Sequence, residues 1–134
     1  MITGILHTTF LTADLVAARA FYEGILGLQL DPHRPTMSFD GVWYDIAPSQ
    51  QIHLMLLPNP EVGLIRPAHA GRDRHVALGV SDLNGLIKRL EAAEVIYTLS
   101  QSGRCALFCR DPDDNALEFI ATNPLINDAW LSSD

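Results

Sequence analysis

Two histidines, and the phrases they open, carry the clearest chemical signal in this chain. His7-Thr-Thr-Phe-Leu-Thr-Ala-Asp14-Leu15 is answered 68 residues later by His75-Val-Ala-Leu-Gly-Val-Ser-Asp82-Leu83. In both copies the His lies on a strand-like run, and Asp-Leu opens an amphipathic helix seven residues on. His53 and Glu118 fall on the last strand-like run of each half. The repeat therefore makes His7 the equivalent of His75, and His53 the equivalent of Glu118. Glu118 has Ala116 and Ile120 two residues away on either side. A carboxylate on so apolar a face is costly unless it is paired or bound to a cation. A divalent metal held by His7, His53, His75 and Glu118 resolves that cost. The plainer alternative pairs Glu118 with Arg74 or Arg110 and leaves the histidines as ordinary surface or core residues. Three imidazoles and a carboxylate, with no thiolate, suit Mn, Fe(II), Co, Ni or Zn, whereas calcium and magnesium prefer oxygen shells.

Other candidates are less specific. Arg72 and Arg74 precede His75, and Arg104 follows the Ser102-Gly103 turn. At strand ends around a pocket these guanidiniums could meet an anionic substrate. They are equally consistent with ordinary surface charge. Cys105 and Cys109 share one strand-like stretch and read as reduced core thiols. His33 and His69 sit in Pro-rich loops and read as exposed. No phosphate-cradling glycine loop, nucleophile elbow or Cys/His catalytic pair is present.

The elements that must position these residues follow from periodicity. Gly4–Leu11 alternates as a strand, with Ile5, His7 and Thr9 on one face. Thr12 or Asp14 caps a helix whose Leu15, Ala18, Tyr22, Ile25 and Leu26 recur at helical spacing, and Gly27 stops it. Strand signals follow at Gln29–Leu30, Met37–Phe39 and Val42–Ile46, with Asp40-Gly41 as a hairpin turn, then at Gln51–Leu57. Pro58, Pro60, Gly63, Pro67 and Gly71 mark a linker. The second half repeats the order. Arg74–Val80 is a strand, and Ser81 caps a helix with the stripe Leu83, Leu86, Ile87, Leu90 and Ala93. Further strands cover Val95–Ser100, Arg104–Arg110 and Ala116–Ala121. Each half reads βαβββ, giving modules at 1–57 and 74–122, a linker at 58–73, and a tail at 123–134 with an amphipathic fragment around Trp130.

Composition sets the boundaries. With 134 residues, 48% hydrophobic and a formal charge of −7, the chain reads as one acidic globular domain. It has no basic stripe, which argues against nucleic acid and anionic membranes. The longest apolar runs fall far short of the roughly 20 residues of a membrane span. The N-terminus lacks the features of a signal peptide, so the cytoplasm is the expected compartment.

The tandem halves, the phrase from His75, Phe21-Tyr22-Glu-Gly-Ile-Leu-Gly-Leu28 and Phe108-Cys-Arg-Asp-Pro-Asp-Asp-Asn-Ala-Leu-Glu118-Phe together resemble the vicinal oxygen chelate superfamily. That superfamily holds glyoxalase I, fosfomycin-resistance thiol transferases, extradiol dioxygenases and bleomycin-binding proteins. Gln51-Ile-His53-Leu resembles the strand that brings its first-half carboxylate ligand. The resemblance spans nearly the whole chain. It implies an α+β fold whose βαβββ modules form a curved eight-stranded mixed sheet around one divalent metal. By position the ligands are His7, His53, His75 and Glu118. It implies a lyase or isomerase of the lactoylglutathione lyase type, in which the metal binds vicinal oxygens and stabilises an enediolate. Glu118, the only carboxylate of the four, then acts as the catalytic base. The substrate is a small molecule, such as a thiol adduct, and the protein a homodimer with sites shared between chains. Two departures stand out: His53 replaces the Glu usual in glyoxalase I, and Asp114 replaces a turn glycine. An extradiol-type dioxygenase and a metal-free, small-molecule-sequestering resistance protein remain alternatives.

Overall fold

In a computed structural model, residues 1–123 are described, and they form two compact units divided between Leu64 and Ile65. The expected amphipathic fragment around Trp130 lies outside the described residues. Among the described residues, no helix is long and apolar enough to cross a membrane.

The first unit contains β1 (His7–Thr12), α1 (Leu15–Arg19) continued as a π-helix (Ala20–Ile25), β2 (Gln29–Leu30), β3 (Gly41–Ala47) and β4 (Gln50–Leu56). The second contains a short 3₁₀ turn (Ala70–Arg72), β5 (His75–Val80), α2 (Leu83–Ala92), β6 (Tyr97–Leu99), β7 (Ala106–Arg110) and β8 (Ala116–Ala121). Each unit is a four-stranded mixed sheet with the same topology, in the orders β1-β4-β3-β2 and β5-β8-β7-β6. The first and last strands of each unit are parallel and the other pairs antiparallel. The expected α+β fold of two βαβββ modules is the fold observed.

Local chemistry explains the elements. Asp14 Oδ1 accepts from the backbone N–H groups of Val16 and Ala17, capping α1 at the first orphan donors. Ala18, Phe21 and Tyr22 turn the buried stripe of this helix inward, and Tyr22 stacks on Tyr44 of β3. Gly27 terminates it at φ 72°, in the left-handed region that favours glycine. In the second unit Leu83, Leu86 and Leu90 are the buried stripe of α2, beneath Leu107, Leu117 and Phe119.

Three local expectations are corrected. Asp82, not Ser81, caps α2, because its Oδ1 accepts from the Gly85 N–H. Met37–Phe39 forms no strand, since β3 pairs with β2 and Arg34 Nη2 donates to the Phe39 carbonyl at 2.9 Å. Asp40-Gly41 is therefore no hairpin turn: Gly41 begins β3, where a Cβ would strike the Leu54 carbonyl and crowd the Arg34 guanidinium. The tight connection falls instead between β3 and β4, with Ser49 at φ 66°.

Candidate functional site

Strand register places the four expected residues in matching positions. On the β1–β4 pair His7 is opposite Gln51 and Thr9 opposite His53. On the β5–β8 pair His75 is opposite Ala116 and Ala77 opposite Glu118. In each unit the histidine of the first strand is thus diagonal to the key residue of the last. An aromatic residue completes each set from the strand beyond: Trp43 lies directly opposite His53, and Phe108 directly opposite Glu118.

In the first unit these side chains form a ladder of rings. His7 and His53 stack with centroids 4.1 Å apart and planes 15° from parallel. His53 and Trp43 stack at 4.2 Å and 5°. Gln51 sets the chemistry of the middle ring. Its Nε2 donates to Asp31 Oδ2 at 2.9 Å and to Asp45 Oδ1 at 2.8 Å, which fixes the orientation of the amide. The remaining Oε1 can only accept, and His53 Nε2 lies 2.8 Å from it. His53 therefore carries a proton on Nε2. Burial, then the neighbouring His7 and Arg34, pull its pKa below the usual imidazole range.

In the second unit His75 Nδ1 donates to the backbone carbonyl of Asp73 at 2.8 Å, which turns Nε2 toward Glu118 Oε1, 3.3 Å away. Two electron-rich atoms at this separation call for a proton or a cation between them. Glu118 is buried, with 3% of its surface exposed. Its other oxygen accepts from Arg104 Nη2 at 3.1 Å. Arg104, expected to meet a substrate, thus reaches the carboxylate for which Arg74 and Arg110 were the expected partners. Arg110 instead joins Arg66 on Asp73 Oδ2, at 2.8 and 2.9 Å. These guanidiniums hold the Asp73 carboxyl well below the usual carboxylate range. Arg72 and Arg74 are exposed. Cys105 and Cys109 form no disulfide and are buried, and burial pushes the Cys109 thiol up to about 12.

The residues fit a divalent metal unequally. A metal lies about 2.0–2.2 Å from an imidazole nitrogen or a carboxylate oxygen. Neighbouring ligands then stand about 3 Å apart, as His75 Nε2 and Glu118 Oε1 do. The Nδ1–carbonyl bond of His75 is the outer support that metal-bound imidazoles normally have. The stacked His7 and His53 do not fit as a pair, because an ion in the plane of one ring lies off the plane of the other. Within each unit, no three or more His, Cys, Asp and Glu side chains among the described residues are grouped to hold an ion.

Trp43 and Arg34 are not singled out by the sequence, and Asp73 is notable there only beside Arg72 and Arg74 ahead of His75. Only Trp43 had a signal there: it precedes His53 by ten residues, as Phe108 precedes Glu118.

Residues 4–119 match the family model described as Glyoxalase/Bleomycin resistance protein/Dioxygenase superfamily. A curated relative, Glyoxylase I 4 of Arabidopsis thaliana, is 27% identical over 130 residues, covering 92% of this chain and 74% of its own. The fold is shared with a glyoxalase family protein of Bacillus anthracis, at TM-score 0.72 and 22% identity, covering 92% of this chain and 98% of that one. It is shared too with a variant of the fosfomycin resistance protein FosX of Listeria monocytogenes, at TM-score 0.71 and 19% identity, covering 92% and 95% of the two chains. That variant was solved with Mn(II) and 1S,2S-dihydroxypropylphosphonic acid.

Proposed function

Because the chain belongs to the glyoxalase/bleomycin resistance protein/dioxygenase superfamily, we propose that it is a metal-dependent enzyme of the glyoxalase kind acting on a small molecule with neighbouring oxygens. What supports the reading is one observation. His75 presents Nε2 to the buried Glu118 at 3.3 Å, with its ring oriented from behind by the Asp73 carbonyl. We assign a divalent cation to His75 and Glu118. His7 and His53 are carried in the set by the repeat alone.

A divalent ion there supplies Lewis-acid polarisation of a substrate carbonyl or hydroxyl. The rest is the work of side chains. His75, held by the Asp73 carbonyl, keeps its Nε2 directed toward Glu118. Glu118 is the one carboxylate of the set, and it removes a proton from one carbon and returns it to the adjacent carbon. Arg104 donates to Glu118 Oε2 and, more than half exposed, is placed to meet a charged substrate.

The test is a parallel assay of metal-loaded protein with methylglyoxal and glutathione in one arm, and catechols with Fe(II) and oxygen in the other. Isomerisation in the first arm is the expected result. Turnover only in the second assigns the chain to the dioxygenases.

A second reading, capture of a small molecule without chemistry, is favoured by the Arg104–Glu118 pair, which satisfies the buried carboxylate with no metal. Metal analysis after reconstitution separates the two. About one ion per chain supports the enzyme, and well under one supports the binding protein.

A further inference from the structure

The ring ladder of the first unit borders a cavity of about 480 Å³, within the usual range for ligand pockets. His7, His53 and Trp43 line it, and Arg34, Met37 and Phe39 from the loop before β3 line it as well. We propose that this cavity binds a planar aromatic molecule carrying one negative charge. The inference goes beyond the function proposed above: it names a ligand class for the first-unit cavity, apart from His75 and Glu118, and shares with that reading only His7 and His53.

Three features carry it. The ladder is nearly coplanar in orientation, and His7 at one end is exposed. A flat ring extends such a stack or packs along it at low entropic cost, gaining offset-stacked contact that an aliphatic ligand cannot match. The polar edge of the ladder is already satisfied, since His53 Nε2 is committed to Gln51. Both faces of His53 are covered by His7 and Trp43, so the outer faces of those two rings are the ones left for a ligand. Met37, 39% exposed, and Met55 add thioethers that adapt to the outline of an aromatic ring.

The charge comes from Arg34. Its Nη2 donates to the Phe39 carbonyl, and the guanidinium lies 5.5 Å over the Phe39 ring. Among the described residues it has no carboxylate partner. Gly41 makes room for it, since a Cβ there would sit 3.1 Å from Arg34 Nη2. Asp31 and Asp45 hold the Gln51 amide and do not line the cavity. A half-buried, unpaired cation beside an aromatic wall selects an anion, and its planar fork suits a carboxylate.

The experiment is calorimetric titration of the full chain with 1-naphthoate and with neutral 1-naphthylmethanol, each with excess chelator and again with Zn(II). The expected result is naphthoate binding at least tenfold tighter than the alcohol. Arg34→Met should remove that preference while keeping the fold by circular dichroism, and Trp43→Ala should weaken both ligands. Equal affinity of the wild type for the two probes, or no binding of either, would overturn the proposal without reference to any variant. Naphthoate binding without Zn(II) uptake supports this inference and defeats the metal-enzyme reading. Uptake of Zn(II) without naphthoate binding does the reverse.

Discussion

His75 gives its Nδ1 proton to the Asp73 carbonyl, 2.8 Å away, and that bond decides which nitrogen faces Glu118. The carbonyl is itself held in place. The carboxylate of the same residue accepts from Arg66, in the loop, and from Arg110, at the end of β7. Asp73 thus joins the entry of β5 to the end of β7, two strands away, and aims His75 through its own backbone.

Asp73→Asn keeps the shape but removes the charge that both guanidiniums share. The expected result is a loss of about 1–3 kcal/mol in stability, as for a broken buried charge-assisted bond. A 10–100-fold fall in divalent-metal affinity should accompany it, as for other outer-shell partners. Urea unfolding and Zn(II) titration measure the two. Unchanged metal affinity in a folded variant contradicts a positioning role.

Tyr44 is fully buried, and its hydroxyl donates to Glu23 Oε2 at 2.8 Å. Arg19 first, and Tyr44 after it, hold the Glu23 carboxyl below its usual value of 4.5, against the opposing effect of burial. The folded value is the lower one, so the contribution of Glu23 is present above about pH 4.5 and is lost as pH falls through the folded value. Glu23→Gln should flatten the acid limb of the stability profile. Glu23→Ala should cost about 1–3 kcal/mol at neutral pH by stranding the hydroxyl. Thermal melts from pH 3 to 7 read both effects, and parallel profiles for wild type and Glu23→Gln would refute the linkage.

Gly41 sits where the β3 backbone passes the Leu54 carbonyl. Gly41→Ala forces that strand pair apart and displaces Arg34, so a drop in stability of about 1–3 kcal/mol is expected. Gly24, with open space where a Cβ would go, is the control: Gly24→Ala should not lower the melting temperature. Equal melting temperatures for the two variants would contradict the close approach.

Cys105 and Cys109 have 6% and 2% of their surface exposed. Neither should react with a thiol reagent in native protein at neutral pH, and both should react after unfolding. Rapid labelling of the native chain would show that the β7 region opens.

The sequence made the repeat visible because strand alternation and helix caps are local signals. His7 and His75, and His53 and Glu118, fall at matching register for that reason. What it hid was long-range. The identity of the Glu118 partner depended on a turn that brings Arg104 back across fourteen residues. The loop holding Arg34 read as a strand at Met37–Phe39 because its residue types are strand-like, whereas a side-chain bond to the Phe39 carbonyl governs it. The orientations of His53 and His75 depend on Gln51 and Asp73, whose roles no spacing announces.

The central claim is that His75 and Glu118 face each other to hold a divalent cation. Its most direct test is calorimetric titration of chelator-stripped protein with Zn(II) and Mn(II), for wild type and Glu118→Gln, at pH 7.5. The account predicts about one ion per wild-type chain and at least tenfold weaker binding in the folded Glu118→Gln variant. No binding by the wild type, or equal binding by the two, would contradict it.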